Sequence, residues 1–178
     1  VATAQIRDCV AANPESGRSL PTVNPLVFEC NDGFLNDIQR MAVAEADYLR
    51  ALESASVDFE QGSVGAGRGM SSFQFKGGIG SASRCVPSRQ GGVYTVGALV
   101  LANYGRLPQL VLTGRAVGEQ LAAQLASQDA ASQDAAAQAS TAAEPEKGSI
   151  IMLIATDAPL DARQLRRLAL RAGAGLAR

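Results

Sequence analysis

The chain of 178 residues contains no histidine, and that absence prunes its chemistry first. A Ser-His-Asp or Cys-His arrangement cannot be assembled from these residues, and the commonest zinc ligand is missing. A hydrolase built here must take its base from elsewhere. Cysteine is scarce as well: Cys9, Cys30 and Cys85 are odd in number, widely spaced and without a C-x-x-C pair. Three buried free thiols are expected, not a disulfide framework. No charge of one sign dominates, since 16 basic residues face 17 acidic ones for a net charge of -1. That balance leaves no electrostatic footprint for nucleic acid or an anionic membrane. No apolar run approaches the ~20 residues that span a bilayer. Val1-Ala2-Thr3-Ala4 lacks the charged start and long apolar core of a signal peptide. The expectation is no nucleic acid, no membrane, no cofactor and no metal.

What is present suffices for a folded domain. Hydrophobic residues make up 47% of the chain, and its length fits one domain with a real core. Residues 2–12 have the pattern of a helix end stopped by Asn13-Pro14, with a loop over 14–25. Leu26-Val27-Phe28 is a short strand candidate. Leu35, Ile38, Ala42, Leu49 and Leu52 recur at helical spacing, which predicts an amphipathic helix over about 34–54, with Asp32 placed to cap it. Seven glycines fall between Gly62 and Gly80, where close backbone approach is the expected use. Val93–Asn103 has the pattern of a buried strand, and Pro108–Thr113 that of a short extended piece or turn. The alanine- and glutamine-rich tract at 119–143 repeats Ser-Gln-Asp-Ala-Ala and offers almost no large apolar residue after Leu125. A solvated linker is expected there, ending at Gly148. A strand over Ser149–Ala155 and a basic amphipathic helix over about 160–172 follow, with Arg163, Arg166, Arg167 and Arg171 on its solvated face. Strands and helices mix without regular βαβ alternation, so the expected class is α+β.

Two motifs need weighing. Gly65-Ala66-Gly67-Arg68-Gly69-Met70 lacks the last glycine of a dinucleotide fingerprint, and Lys76 is followed by Gly77 where a phosphate loop needs Ser or Thr. A tightly packed backbone beside an active site is the better reading. Gly148-Ser149 is ordinary in itself, but a linker delivers it to the first residue of a buried strand. If the bond before Ser149 broke, hydroxyl and free amine would share one residue. An α-amine titrates at about 7.7–8.0, so near neutral pH it can take the hydroxyl proton without a histidine.

Four collinear blocks then carry a resemblance. They are Asp32-Gly33-Phe34-Leu35-Asn36-Asp37-Ile38, the glycine-rich stretch from Gly65 through Gly77-Gly78-Ile79-Gly80-Ser81-Ala82-Ser83-Arg84, Val96 through Ala102-Asn103-Tyr104-Gly105, and Gly148-Ser149 through Leu160. In that order they resemble the DmpA family of L-aminopeptidase/D-esterases and β-peptidyl aminopeptidases. The resemblance implies a four-layer αββα sandwich of the DmpA/ornithine acetyltransferase type, incomplete here at both ends. It also implies self-cleavage between Gly148 and Ser149. Residues 1–148 would then belong to an α-subunit with its linker at about 119–148, and 149–178 would begin a β-subunit, both parts of one domain.

The implied activity is that of an N-terminal-nucleophile serine aminopeptidase, acting on a peptide, amide or ester with a free N-terminal amine. Ser149 would be the nucleophile, Asn103 would help hold the oxyanion, and Glu29 would receive the substrate ammonium. Asn31 stands where relatives can carry a tyrosine and is counted with the substrate-binding residues. The family's second serine and acidic residue are expected beyond Arg178, so the chain itself should have little peptidase activity. The implied assembly is a homo-oligomer, a tetramer of processed heterodimers. The expected compartment is the cytoplasm, with the periplasm as the alternative. Two rival readings are an ornithine acetyltransferase-like acyl transferase, whose nucleophile is threonine, and a truncated non-catalytic fragment.

Overall fold

The computed structural model describes residues 1–131 and 148–177. In chain order its elements are helices α1 (Ala2–Ala12) and α2 (Glu45–Glu53), strands β1 (Ser71–Ser72), β2 (Phe75–Lys76), β3 (Gly78–Pro87), β4 (Val93–Asn103), β5 (Val111–Leu112) and β6 (Arg115–Ala116), helix α3 (Gly118–Ala131), strand β7 (Ser149–Thr156) and helix α4 (Ala162–Leu176). Short 3-10 turns cover Ile38–Arg40, Gly65–Gly69 and Leu107–Gln109. The class is α+β, with antiparallel strand pairs throughout the named sheets. No helix among the described residues is long and apolar enough to cross a membrane. Contacts divide the chain into two compact units, one of Val1–Glu29 and Asn36–Glu60, the other of Cys30–Leu35 and Gln61–Arg178.

In the first unit α1 ends as expected at Asn13, whose backbone and side-chain N–H groups both donate to the Cys9 carbonyl. An Arg7–Glu45 ion pair joins α1 to α2. The expected long helix over 34–54 is only partly there. Met41 adopts a left-handed φ of 48°, a conformation no right-handed helix continues through. The first turn is capped by Asp37, which accepts from the Gln39 N–H at 3.2 Å, and not by Asp32. A fresh start follows where the Asp47 carboxylate accepts from the Ala44 N–H at 2.8 Å. That same bond holds the Asp47 carboxyl below its usual range. Leu26-Val27-Phe28 is not a strand; all three side chains are exposed, and no ladder among the described residues takes them in.

The second unit is organised by a three-stranded sheet in the order β3-β4-β7. The apolar, β-branched composition of β4 and β7 suits a strand, and both expected strands are found, β7 running one residue further to Thr156. β3 and β4 form a hairpin whose loop, 88–92, closes with the Ser88 N–H on the Gly92 carbonyl. Gly91 and Gly92 both have φ near 90° there, which only glycine adopts cheaply. Beyond β7, the Thr95 N–H donates to the Asp157 carboxylate and the Thr156 hydroxyl to the Thr95 carbonyl, each at 2.7 Å. α4 begins with a reciprocal capping box between Asp161 and Gln164. Its four arginines are exposed; Leu168 is half-buried and Leu165 and Leu170 are exposed. The core of this unit centres on Met70, Leu101 and Leu107.

The thiols differ from expectation: Cys9 and Cys30 are only half-buried, and Cys85, on the outer strand β3 of the sheet, is exposed. The alanine-rich tract begins as α3, since high helix propensity prevails where Gly118 packs against the 107–110 turn. The rest of the expected linker, 132–147, lies outside the described residues.

The glycine-rich stretch packs as the sequence suggests. Gly62 pairs with Ile79 through two hydrogen bonds of 2.7 and 2.9 Å, laying its backbone across β3. A Cβ added at Gly78 would stand 2.3 Å from the Gly62 carbonyl oxygen, whereas one at Gly80 would meet nothing within 4 Å. Gly78→Ala should therefore lower stability by about 1–3 kcal/mol. Gly80→Ala should be neutral or slightly stabilising. Urea midpoints of the two variants check the contrast; equal midpoints would refute the packing argument.

Candidate active site

Ser149 opens β7 and its Cα pairs with that of Asn103, the last residue of β4. Directly paired residues share one face of a sheet, so the register brings the hydroxyl and the carboxamide together. Both residues are half-buried. Gly148, exposed, immediately precedes the strand.

Both ends of the Asn103 carboxamide are engaged. Its Oδ1 accepts from the Ser71 backbone N–H at 3.0 Å. Its Nδ2 donates to the Asn31 backbone carbonyl at 2.7 Å and to the Ser149 hydroxyl at 3.4 Å. Those partners fix which end is nitrogen: a flipped amide would set NH2 against the Ser71 N–H and oxygen against the Asn31 carbonyl. Two N–H protons thus meet two acceptors, and one is aimed at Ser149.

Three neighbours hold this arrangement. The 30–35 segment reaches β4 at Cys30, whose Sγ lies 4.0 Å from the Leu101 carbonyl. The two-residue turn between β1 and β2 puts both Phe73 and Gln74 at positive φ, 51° and 66°, a costly conformation for side chains larger than glycine. It is braced on the chain just after Asn103. The Phe73 N–H donates to the Tyr104 carbonyl at 3.0 Å, the Phe73 and Tyr104 rings meet edge to face at 5.2 Å, and the Leu107 N–H donates to Gln74 Oε1 at 3.3 Å. Finally, the Lys76 ammonium donates to three backbone carbonyls, of Gly67, Met70 and Gly77, at 2.6, 3.0 and 2.8 Å.

Of the expected site residues, the structure brings together Ser149, Asn103 and Asn31. Asn31 enters by its main chain; its side-chain Oδ1 instead accepts from the Gly33 N–H at 2.9 Å in a local turn. Glu29 is exposed and closes the first segment of the other compact unit. Ser71 went unread in the sequence because it contributes a backbone N–H, which has no residue signature. In the sequence Lys76 suggests only a phosphate-loop lysine, a pattern that Gly77 breaks.

Comparison with known proteins identifies the family. The chain is 47% identical over 155 residues to a β-peptidyl aminopeptidase, BapA, of Sphingosinicella microcystinivorans, covering 86% of this chain and 39% of that protein. Among solved structures, a protein from Pyrococcus horikoshii superposes with a TM-score of 0.78 at 46% identity, covering 99% of this chain and 44% of that one. A Burkholderia β-aminopeptidase superposes with a TM-score of 0.77 at 39% identity, covering 99% and 43%. The chain therefore spans about two-fifths of the relatives it matches. The family profile of the S58 peptidases matches residues 1–178, and with the blocks, the fold and the relatives in agreement the chain belongs to peptidase family S58.

Proposed function

We propose that the protein carrying this chain is a self-processing aminopeptidase that releases N-terminal residues from peptides, amides or esters. The observation that carries the reading is the Asn103 amide N–H aimed at the Ser149 hydroxyl where two paired strands end. The names of two relatives, a β-peptidyl aminopeptidase and a β-aminopeptidase, support peptides with β-amino acids among the substrates. The serine at 149 and the family match argue against the ornithine acetyltransferase-like alternative.

Processing begins when the Ser149 oxygen attacks the Gly148 carbonyl. The C–O bond forms, the C–N bond breaks, and the Ser149 nitrogen leaves as an amine. Water then hydrolyses the ester, leaving a Gly148 carboxylate and a free Ser149 N-terminus. In the mature enzyme that amine takes the hydroxyl proton while the oxygen attacks the substrate carbonyl, and returns it to the leaving amine; water then hydrolyses the acyl ester, releasing the N-terminal residue with its new carboxylate and restoring the Ser149 hydroxyl. The Asn103 N–H stabilises the oxyanion, an interaction worth roughly 3–4 kcal/mol in such sites. Glu29 is assigned to the substrate ammonium, an attraction of opposite charges. The complete protein is assigned the four-layer αββα sandwich, further catalytic residues outside this chain, and a tetrameric assembly of processed heterodimers.

Three outcomes are expected of the full-length protein. Intact mass should show two pieces divided between Gly148 and Ser149, and Ser149→Ala should leave one; a wild-type protein that stays whole yet cleaves aminoacyl nitroanilides refutes the mechanism. Asn103→Ala should lower kcat by about 10²–10³-fold in steady-state assays. Because the base is an α-amine, active only when deprotonated, kcat/KM should rise with pH through about 7–8. A profile flat from pH 6 to 9 would remove the amine from that role.

A further inference from the structure

Lys76 stands out among the charged residues because all three of its N–H donors go to backbone carbonyls, and no carboxylate pairs with it among the described ion pairs. An ammonium has three donors, so the hydrogen bonding of this exposed residue is complete without a carboxylate. One of those carbonyls matters more than the others. The Met70 carbonyl and the Ser71 N–H are the two ends of a single peptide group. Lys76 holds the first at 3.0 Å, and the second donates to Asn103 Oδ1 at 3.0 Å. The Gly77 N–H adds a further bond to the same Met70 carbonyl at 2.8 Å.

A trans peptide is planar, so fixing the direction of its C=O fixes the direction of its N–H. The Asn103 carboxamide is planar too, so anchoring Oδ1 on Ser71 aims Nδ2 at the Asn31 carbonyl and at Ser149. Polarisation runs along the same path. A cation on the Met70 oxygen makes the Ser71 N–H a stronger donor, and a stronger donor on Oδ1 makes the Nδ2 protons more positive. Chains of hydrogen bonds reinforce one another in this way.

We propose that Lys76 is a positioning residue for the reaction at Ser149. It acts through two amide groups in series, the Met70–Ser71 peptide and the Asn103 carboxamide, to aim and strengthen the N–H that meets the oxyanion. The inference rests on the reading of Ser149 as nucleophile and Asn103 as oxyanion donor. It assigns no contact between Lys76 and substrate, so it concerns kcat and the rate of self-cleavage and leaves KM nearly alone.

The test compares full-length wild type with Lys76→Met, which removes the charge and the donors, and Lys76→Arg, which keeps a cation. Self-cleavage is followed by intact mass and turnover on an aminoacyl nitroanilide by steady-state kinetics, with melting temperatures alongside. Lys76→Met is expected to slow self-cleavage and lower kcat about 10–100-fold, less than loss of a direct oxyanion donor. KM should stay within about twofold, and Lys76→Arg should recover most of the rate. A folded Lys76→Met protein with wild-type kcat and self-cleavage overturns the inference and leaves the proposed function standing. A wild type that neither splits nor turns over removes the function, and the inference with it. A rise in KM at unchanged kcat also overturns it. If Lys76→Met fails to fold, Lys76→Gln, neutral but still a donor, carries the same comparison. If that fails too, hydrogen exchange of the Ser71 amide in the wild type decides: protection like that of β4 supports the linkage, and exchange at the rate of an open loop overturns it.

Discussion

The antiparallel register between β4 and β7 decides where the Ser149 hydroxyl sits. Side chains alternate faces along a strand, so a slip of one residue would set Ser149 opposite Ala102 and turn its hydroxyl to the other side of the sheet. The register is held at both ends. At one, the Asp157 carboxylate and the Thr156 hydroxyl clasp the main chain of Thr95. At the other, Asn103 reaches Ser149 itself. Between them, apolar residues of both strands meet across the ladder, and Leu101 opposite Ile151 is buried at the pair nearest Ser149 on its face.

A central strand needs neighbours on both flanks, and the glycine-rich stretch supplies what lies beside β4 on the other flank. With Gly62 crossing β3 at contact distance, the chain from Gly65 to Gly69 turns tightly enough to present Met70 and Ser71 to the end of β4. The strained turn at Phe73 and Gln74 belongs to the same economy. Each residue spends conformational energy on a left-handed backbone, and hydrogen bonds to Tyr104 and Leu107 with an aromatic contact offset it. The segment after Asn103 is thereby tied to one small hairpin, whose Ser71 N–H also holds the Asn103 Oδ1, and the amide has little freedom to turn.

Much of this was legible in the sequence, and what was not has a physical reason. β4 and β7 are long apolar runs bounded by breakers, and their limits were found almost to the residue. Asn13-Pro14 marked the end of α1. The helix expected over 34–54 is interrupted, and the periodic Leu35, Ile38, Ala42, Leu49 and Leu52 carry no record of Met41's left-handed backbone or of the fresh start that Asp47 imposes. Leu26-Val27-Phe28 has strand composition without a ladder partner, which composition alone does not reveal. In the site, Ser149 is marked by its place between linker and strand, and Asn103 by the family resemblance alone. Ser71 and the Asn31 carbonyl act through main-chain atoms that every residue carries, so only the fold singles them out.

The placement of the proposed scissile bond at the first residue of a strand has its own logic. Nucleophile and leaving nitrogen both belong to Ser149, so one anchored residue holds two of the three reacting groups. The third, the Gly148 carbonyl, must turn toward the hydroxyl, and it lies just outside the ladder on an exposed residue. Glycine lacks the Cβ that restricts such rotation. Order is thus invested on one side of the bond and freedom on the other. After the proposed cleavage the same anchoring would keep the new amine beside its own hydroxyl.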